Sequence, residues 1–360
     1  MKEPGLSEKE TPRPTIHDVA SRAGVSIMAV SLAFRDGKKI SEKTRRKILS
    51  IAKEMNYVPN QIASGLRTGK SHFVGLIVYD ITNPFLAMIL QESEQLFSRS
   101  GMEVLMGCSQ WDSSHERRLV EKMIRMRVQG VVLCLCEKGE GSLDLLRNAG
   151  IPFLLIDSIP ETYKGAAVVN DLDECGRLMA RHFVEIGIRR PGFVNADPPR
   201  AHALFSIRIF ESFREELAKH GLTIDPRNYV EGGLTLQAGA NAWRQLVTQS
   251  FDAEGLFCIN DLSAIGLMDA ADKDGRVVGR DLAVAGVDNL DISGIRRVGL
   301  TSIHQPYEQI ASHSVDILTA MIRDSGSNGR QIFLPQKLVV RESTANFQRQ
   351  QPDTSRKTEP

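Results

Sequence analysis

The chemistry most legible in this chain is attraction for phosphate. Arg22, Lys38, Lys39 and Arg45 gather near its beginning, around a short segment, Ser26 to Leu32, that opens on a capping hydroxyl. Cations so placed suit phosphate oxygens, which fix a protein's position on a duplex without reading its sequence. Base edges would be read from the segment itself, where Ser26, Ile27, Met28, Ala29, Ser31 and Leu32 are the candidates. Ser31 could bond a phosphate or a base edge, whereas Ile27 and Met28 offer no paired hydrogen bonds and would pack on thymine methyl groups. The charge distribution points the same way. The net charge is only +1, yet residues 1–71 carry 14 Lys and Arg against 7 Asp and Glu, which leaves 31 against 37 for the rest. A basic head on an acidic body is what phosphate binding by one end requires, although charge alone also fits a merely solvated surface.

Catalytic chemistry finds little support, and no enzyme is expected. The sequence holds no GxxxxGK[ST], GxGxxG or GxSxG, and no HExxH among its 8 histidines. The 5 cysteines, Cys108, Cys134, Cys136, Cys175 and Cys258, are odd in number and lack ligand or framework spacing. They read as small core thiols in a reducing cytoplasm, with neither metal nor cofactor. No apolar run approaches the roughly 18 residues of a membrane-spanning helix. Met1 to Pro14 also lacks the apolar stretch of a signal peptide.

The elements that must carry these residues follow from periodicity and punctuation. Residues 1–14 read as a disordered leader. Thr15 can cap a helix over Ile16 to Ala23, which Gly24 ends; Ser26 caps a second over Ile27 to Phe34. Ser41 caps a third, in which Ile48, Ile51, Ala52 and Met55 recur at helical spacing. Val19, Ala20, Val25, Val30 and Leu49 would form the small core of a helix-turn-helix, whose second helix enters the major groove. A purely structural three-helix unit is the other reading of residues 15–57. Asn60 to Arg67 is a separate amphipathic segment, and Thr68-Gly69-Lys70-Ser71 a joint.

Beyond the joint, short apolar runs alternate with helical patterns. Strands are predicted at Val74–Val78, Val104–Gly107, Val131–Cys134, Phe153–Ile156, Ala166–Val169, Gly192–Val194, Leu256–Cys258 and Ala283–Val287. Helices are predicted between most of them, among them Phe85–Arg99, Glu116–Met126, Cys175–Ile186 and Phe210–His220. Such alternation implies parallel sheets covered on both faces. It occurs twice, with a break near Asn170, so two similar lobes are expected. Residues 346–360 read as a disordered tail without the apolar heptads of a coiled coil.

Several runs of residues resemble the LacI/GalR family of bacterial transcriptional regulators. In the head these are Thr15-Ile16-His17-Asp18-Val19-Ala20, Ala23-Gly24-Val25-Ser26, Val30-Ser31 and Asn56-Tyr57-Val58-Pro59-Asn60. In the core they are Asn83-Pro84-Phe85, Asn260-Asp261, Gly286-Val287-Asp288, Thr301-Ser302-Ile303-His304-Gln305-Pro306 and the stretch from Leu338 to Ala345. The resemblance implies a small all-α helix-turn-helix head and a two-lobed α/β core like periplasmic binding proteins. It divides the chain into a leader (1–14), a DNA-binding domain (15–58), a hinge helix and linker (59–71), an effector-binding and dimerisation core (72–345) and a tail (346–360). Thr15 and Asn60 join the DNA-facing set. The hinge segment would fold on operator DNA, with Leu66 wedged into the minor groove and Ala63 one turn earlier; an ordinary linker is the alternative.

For the core, the resemblance places effector-binding positions at Asp80, Asn83, Phe85, Asp157, Leu234, Asn260, Asp288 and Gln305. Asp80, Asn83, Asp157 and Asp288 each follow a predicted strand, where ligands of such folds sit. Each also has a structural role open to it, such as helix capping by Asn83 or Asp288. The chain departs from the pattern in two places. The effector-binding arginine of many relatives is Ile209 here, with Arg208 beside it as a substitute, and a stacking aromatic is replaced by Leu234. Met28, Ala29 and Leu32 are apolar where relatives are often polar or basic. The implied function is a cytoplasmic, homodimeric repressor that binds double-stranded operator DNA and answers to a small molecule, without touching a membrane. A receptor acting through protein contacts, with little DNA affinity, is the alternative.

Overall fold

The computed structural model describes residues 14–34, 40–59, 71–136, 138–198, 200, 203–324 and 330–347. They belong to two compact units, divided after Ser71.

The first unit is three helices: α1 (Ile16–Ala23), α2 (Ile27–Ala33) and α3 (Glu42–Glu54). Local chemistry sets their ends. Thr15 and Asp18 form a reciprocal capping box, in which the Thr15 N–H donates to the Asp18 carboxylate at 2.7 Å. Gly24 closes α1 at φ 66°, a left-handed conformation that costs glycine nothing. Ser26 and Ser41 cap α2 and α3. The core is Val19, Ala20, Ala23, Val30, Ala33, Ile48 and Ala52, with Val25 partly buried against it. The expectation of Leu49 in this core is corrected to Ile48. Leu49 is half-buried, because the turn from Ile48 to Ala52 is the one that faces α1 and α2.

The second unit is the expected pair of lobes. The chain builds β1 (Phe73–Val78), β2 (Glu103–Cys108), β3 (Val131–Leu133), β4 (Phe153–Asp157) and β5 (Ala167–Asn170) of one sheet. It then crosses to build β6 (Pro191–Asn195), β7 (Tyr229–Glu231), β8 (Gly255–Cys258), β9 (Ala283–Asp288) and β10 (Thr301–His304) of the other. After β10 the helix Tyr307–Arg323 returns to the first lobe, and β11 (Gln331–Leu334) joins its edge before β12 (Lys337–Val339) ends the second sheet. The strand orders are β11-β5-β4-β3-β1-β2 and β12-β10-β9-β8-β6-β7. Alternate side chains go to opposite faces: Leu76, Val78, Leu154 and Ile156 to one cluster, Ile77, Leu133 and Leu155 to another.

Three crossings between lobes replace the single break expected near Asn170. The sheets are parallel except that β12 runs antiparallel to β10. The reason is topological. β11 runs towards the other lobe with its neighbours, and Pro335-Gln336 carries the chain straight across, so β12 enters the second sheet at the end where the other strands leave. The strands β7, β10, β11 and β12 were not among those expected. Helices Leu172–Glu185 and Leu204–Lys219 begin earlier than their apolar patterns suggested. In the second lobe, helices Leu236–Thr248 and Asp261–Lys273 touch backbone to backbone through Gly239 and Gly266. A methyl on Gly239 would lie 1.9 Å from the carbonyl oxygen of Ser263.

Candidate functional site

In the head, α2 divides its residues between packing and solvent. Ile27, Val30 and Ala33 fall on the inward face, and Met28 stands 59% exposed on the outward one, with Ser31 and Leu32 half-buried. Ile27 and Ala29 are partly buried against the core, so the helix spends two of the predicted base-facing side chains partly on its own stability. The Ser26 hydroxyl accepts from the Ala29 N–H at 3.2 Å and holds the first turn. Arg45 donates from Nε to the Ala33 carbonyl at 3.2 Å, tying α3 to the end of α2. The Arg22 guanidinium lies 3.5 Å from the Glu54 carboxylate, both well exposed. An exposed pair of that kind is worth under about 1 kcal/mol, so a phosphate can replace the carboxylate. Lys38, Lys39, Asn60, Ala63 and Leu66 lie outside the described residues.

In the core, the carboxyl ends of strands from both sheets converge on a chamber of about 30 Å³. Its walls include Asn83, Phe85, Asp157, Leu234, Asn260, Asp288 and Gln305 from the expected set. Asp80 and Arg208 are not among them. Asp80 accepts from the Thr82 N–H at 2.8 Å and from its hydroxyl at 2.6 Å, in a turn after β1. Arg208 grips Asp173 of the neighbouring helix Leu172–Glu185 with two guanidinium nitrogens, Nε at 2.9 Å; Ile209 lines the chamber instead.

Most amide groups around the chamber are committed. Asn83 caps the helix Pro84–Arg99, its oxygen accepting from the Phe85 N–H at 3.0 Å. Asn260 donates to the Leu234 carbonyl at 3.0 Å and accepts from the Ser263 N–H at 2.9 Å. A relay links the lobes: Asn170 donates to Gln305 at 2.5 Å, and Gln305 donates to Asp288 Oδ1 at 2.6 Å. Behind it, Asp261 accepts from Ser293, Ser302 and the Leu290 N–H, and Ser302 accepts from the Asn289 N–H at 3.0 Å.

The carboxyl groups carry the strain. Asp157 and Asp288 end β4 and β9 at φ 74° and φ 110°, conformations that cost a non-glycine residue about 1–3 kcal/mol. Burial pushes the Asp157 carboxyl up to about 6, against a hydrogen bond from the Tyr79 hydroxyl that favours the anion. Burial also drives Asp288 well above the usual carboxylate range, helped by repulsion from Asp261 and Asp157 and opposed by the bond from Gln305.

Aromatic rings form the partition above. Tyr79 and Trp111 stack with centroids 3.7 Å apart, and Phe205 lies 5.9 Å from Trp111. These three residues also wall a second chamber of about 290 Å³, lined further by Leu135, Cys136, Ser158, Lys138 and Arg200.

Known proteins share this arrangement. Residues 15–60 match the model of bacterial regulatory proteins, lacI family, and residues 180–344 that of a periplasmic binding protein-like domain. The chain is 29% identical over 338 residues to the HTH-type transcriptional repressor PurR of Haemophilus influenzae (strain PittEE), spanning 92% of this chain and 99% of that one. The PurR of Photobacterium profundum is 25% identical over 334 residues, again 92% of this chain and 99% of the relative. A crystal structure of a Lacl family transcriptional regulator from Silicibacter pomeroyi superposes with a TM-score of 0.80 at 27% identity, covering 92% of this chain and 99% of that one.

Together these findings support a LacI/GalR family regulator. Such a regulator joins a helix-turn-helix head for DNA to a core that receives a small molecule. The family pattern led to much of the chamber, including Ile209 at the position where many relatives carry an arginine, but missed Tyr79, Trp111 and Phe205 as its walls. For Trp111 a signal existed. It is one of only 2 tryptophans and follows the carboxyl end of β2, where ligands of such folds bind.

Proposed function

We propose that this protein is a transcriptional repressor whose hold on operator DNA is set by a small molecule bound between the lobes of its core. The observation that carries the reading is α2: a capped second helix of a basic helix-turn-helix, presenting Met28 to solvent with Leu32 half-buried. Its reach into a major groove would be apolar, with thymine methyl groups as partners, while Arg22 and the neighbouring cations hold phosphates. One head covers one half-site, so a homodimer on a pseudo-palindromic operator follows, and Met106, 59% exposed on the edge strand β2, is the kind of side chain a partner subunit would cover.

The ligand enters as a bias on the arrangement of the two lobes. A molecule that binds one arrangement better shifts the population, and with it the affinity for operator. The relay from Asn170 through Gln305 to Asp288 spans the lobes and would register such a shift. The protein acts in the cytoplasm, where its DNA is, and turns over no substrate.

A gel-shift titration on the DNA upstream of its own gene tests the reading. Binding should weaken steeply with salt, since each phosphate contact releases a counterion. Failure to bind that DNA at moderate salt overturns the proposal.

A further inference from the structure

We infer that the effector of this protein is an organic cation, an amine or guanidinium whose charged head sits between Asp157 and Asp288 while its carbon body lies against Tyr79, Trp111 and Phe205. The inference rests on the reading of the cleft as an effector site and goes further in naming the ligand's chemistry.

Four observations support it. First, the small chamber, at about 30 Å³, has room for a small polar head group, and carboxyl groups from both lobes line it. Second, among the described residues no lysine, arginine or histidine lines that chamber: Arg208 is held by Asp173, and Lys138 and Arg200 line only the larger chamber, where Arg200 is paired with Asp197. An anionic ligand would meet like charge there. Third, the hydrogen-bonding capacity left over asks for a donor. Asp288 is 5% exposed, lines the chamber, and its Oδ2 has no partner among the described residues. The amides of Asn260 and Gln305 each spend a donor and an acceptor elsewhere. An ammonium offers three donors to these carboxyl oxygens and brings no acceptor, while the Trp111 indole N–H, also without a partner among the described residues, is left for an acceptor on the body of the ligand. Fourth, the rings of Tyr79, Trp111 and Phe205 separate the small chamber from one of about 290 Å³, large enough for the body of such a molecule. Aromatic faces attract cations at up to about 6 Å from their centres and bind flat carbon skeletons.

The charge balance closes without another component. At neutral pH Asp157, at about 6, is largely ionised and Asp288, held well above the usual range, is protonated. The single cation draws Asp288 into ionisation, one proton leaves to solvent, and the net charge of the site is the same before and after binding.

The test uses the full chain and a series matched in shape: phenethylamine, 2-phenylethanol and phenylacetate, with tyramine, agmatine and putrescine as further cations. Tryptophan fluorescence reports occupancy, because Trp111 forms the partition. Expected is saturable binding of at least one cation, with the matched alcohol and acid at least about tenfold weaker, as loss of a charged hydrogen bond implies. Calorimetry should show an apparent binding heat that varies linearly with the ionisation enthalpy of the buffer, the mark of proton release. Asp288→Asn should weaken the amine by about tenfold or more while sparing the alcohol. Asp157→Asn should do the same, should the first variant fail to fold.

Equal or tighter binding of the alcohol or the acid overturns the inference, as does no saturation by any of the cations at up to about 10 mM. A neutral sugar or nucleobase that binds in the same titration, and shifts operator binding, would overturn the cation while leaving the effector cleft in place. Failure of operator binding alone would strike the proposed function and leave the cation site standing.

Discussion

Replacing Asp157 by asparagine should make the core more stable at neutral pH. In the unfolded chain this carboxyl ionises near 3.8, and in the folded cleft at about 6, because it is buried beneath Tyr79. Folding therefore takes up a proton between those values. Below 3.8 the group is neutral in both states, and the stabilisation that its raised value represents is fully present. As the pH rises through about 6 the folded protein must hold a buried anion, and that stabilisation is lost. At about 1.4 kcal/mol per pH unit, the span amounts to about 3 kcal/mol. Asparagine has the same shape, keeps an oxygen to accept the Tyr79 hydroxyl and does not titrate. The difference in unfolding free energy, variant minus parent, should thus grow by about 3 kcal/mol from about pH 4 to about pH 7. Asp261 titrates alike in both proteins and cancels, while relief of Asp288 from its neighbour's charge adds to the variant's gain at the alkaline end. Urea unfolding followed by tryptophan fluorescence measures this, since both tryptophans belong to the core unit. A difference that stays flat across that range, or widens towards acid, would refute the reasoning. The same variant should lose affinity for the effector, as expected where a functional residue is kept at a cost in stability.

Other changes separate packing from function. Gly239→Ala forces a methyl to 1.9 Å from a backbone oxygen of the neighbouring helix, so it should lower core stability by about 1–3 kcal/mol or more in urea unfolding. Met28→Ala, at an exposed position, should change stability by under about 0.5 kcal/mol yet weaken operator binding in gel shifts. Ser26→Ala removes the cap of α2 and should destabilise the head by about 1 kcal/mol, seen as an earlier loss of helical circular dichroism on heating. Arg208→Ala breaks a half-buried pair with Asp173 and should leave ligand titrations unchanged; a large loss of effector affinity would return Arg208 to the cleft.

Whatever local chemistry controls could be read from the order of residues alone. Thr15, Gly24, Ser26 and Ser41 fix helix ends through bonds to residues at most a few places away, so the head was legible almost element by element. Alternating apolar runs marked the central strands for the same reason, since a side chain's face depends only on its parity. Tertiary structure decided whatever depends on residues far apart in the chain. It chose Ile48 over Leu49, because the packing face of α3 is set by α1 and α2. It turned Arg208 to Asp173, since a guanidinium follows the nearest carboxylate that its helix allows. It brought Tyr79, Trp111 and Phe205 together from three separate loops and helices. It also raised Asp157 and Asp288 out of the usual carboxylate range, because desolvation belongs to the closed cleft and to no stretch of sequence.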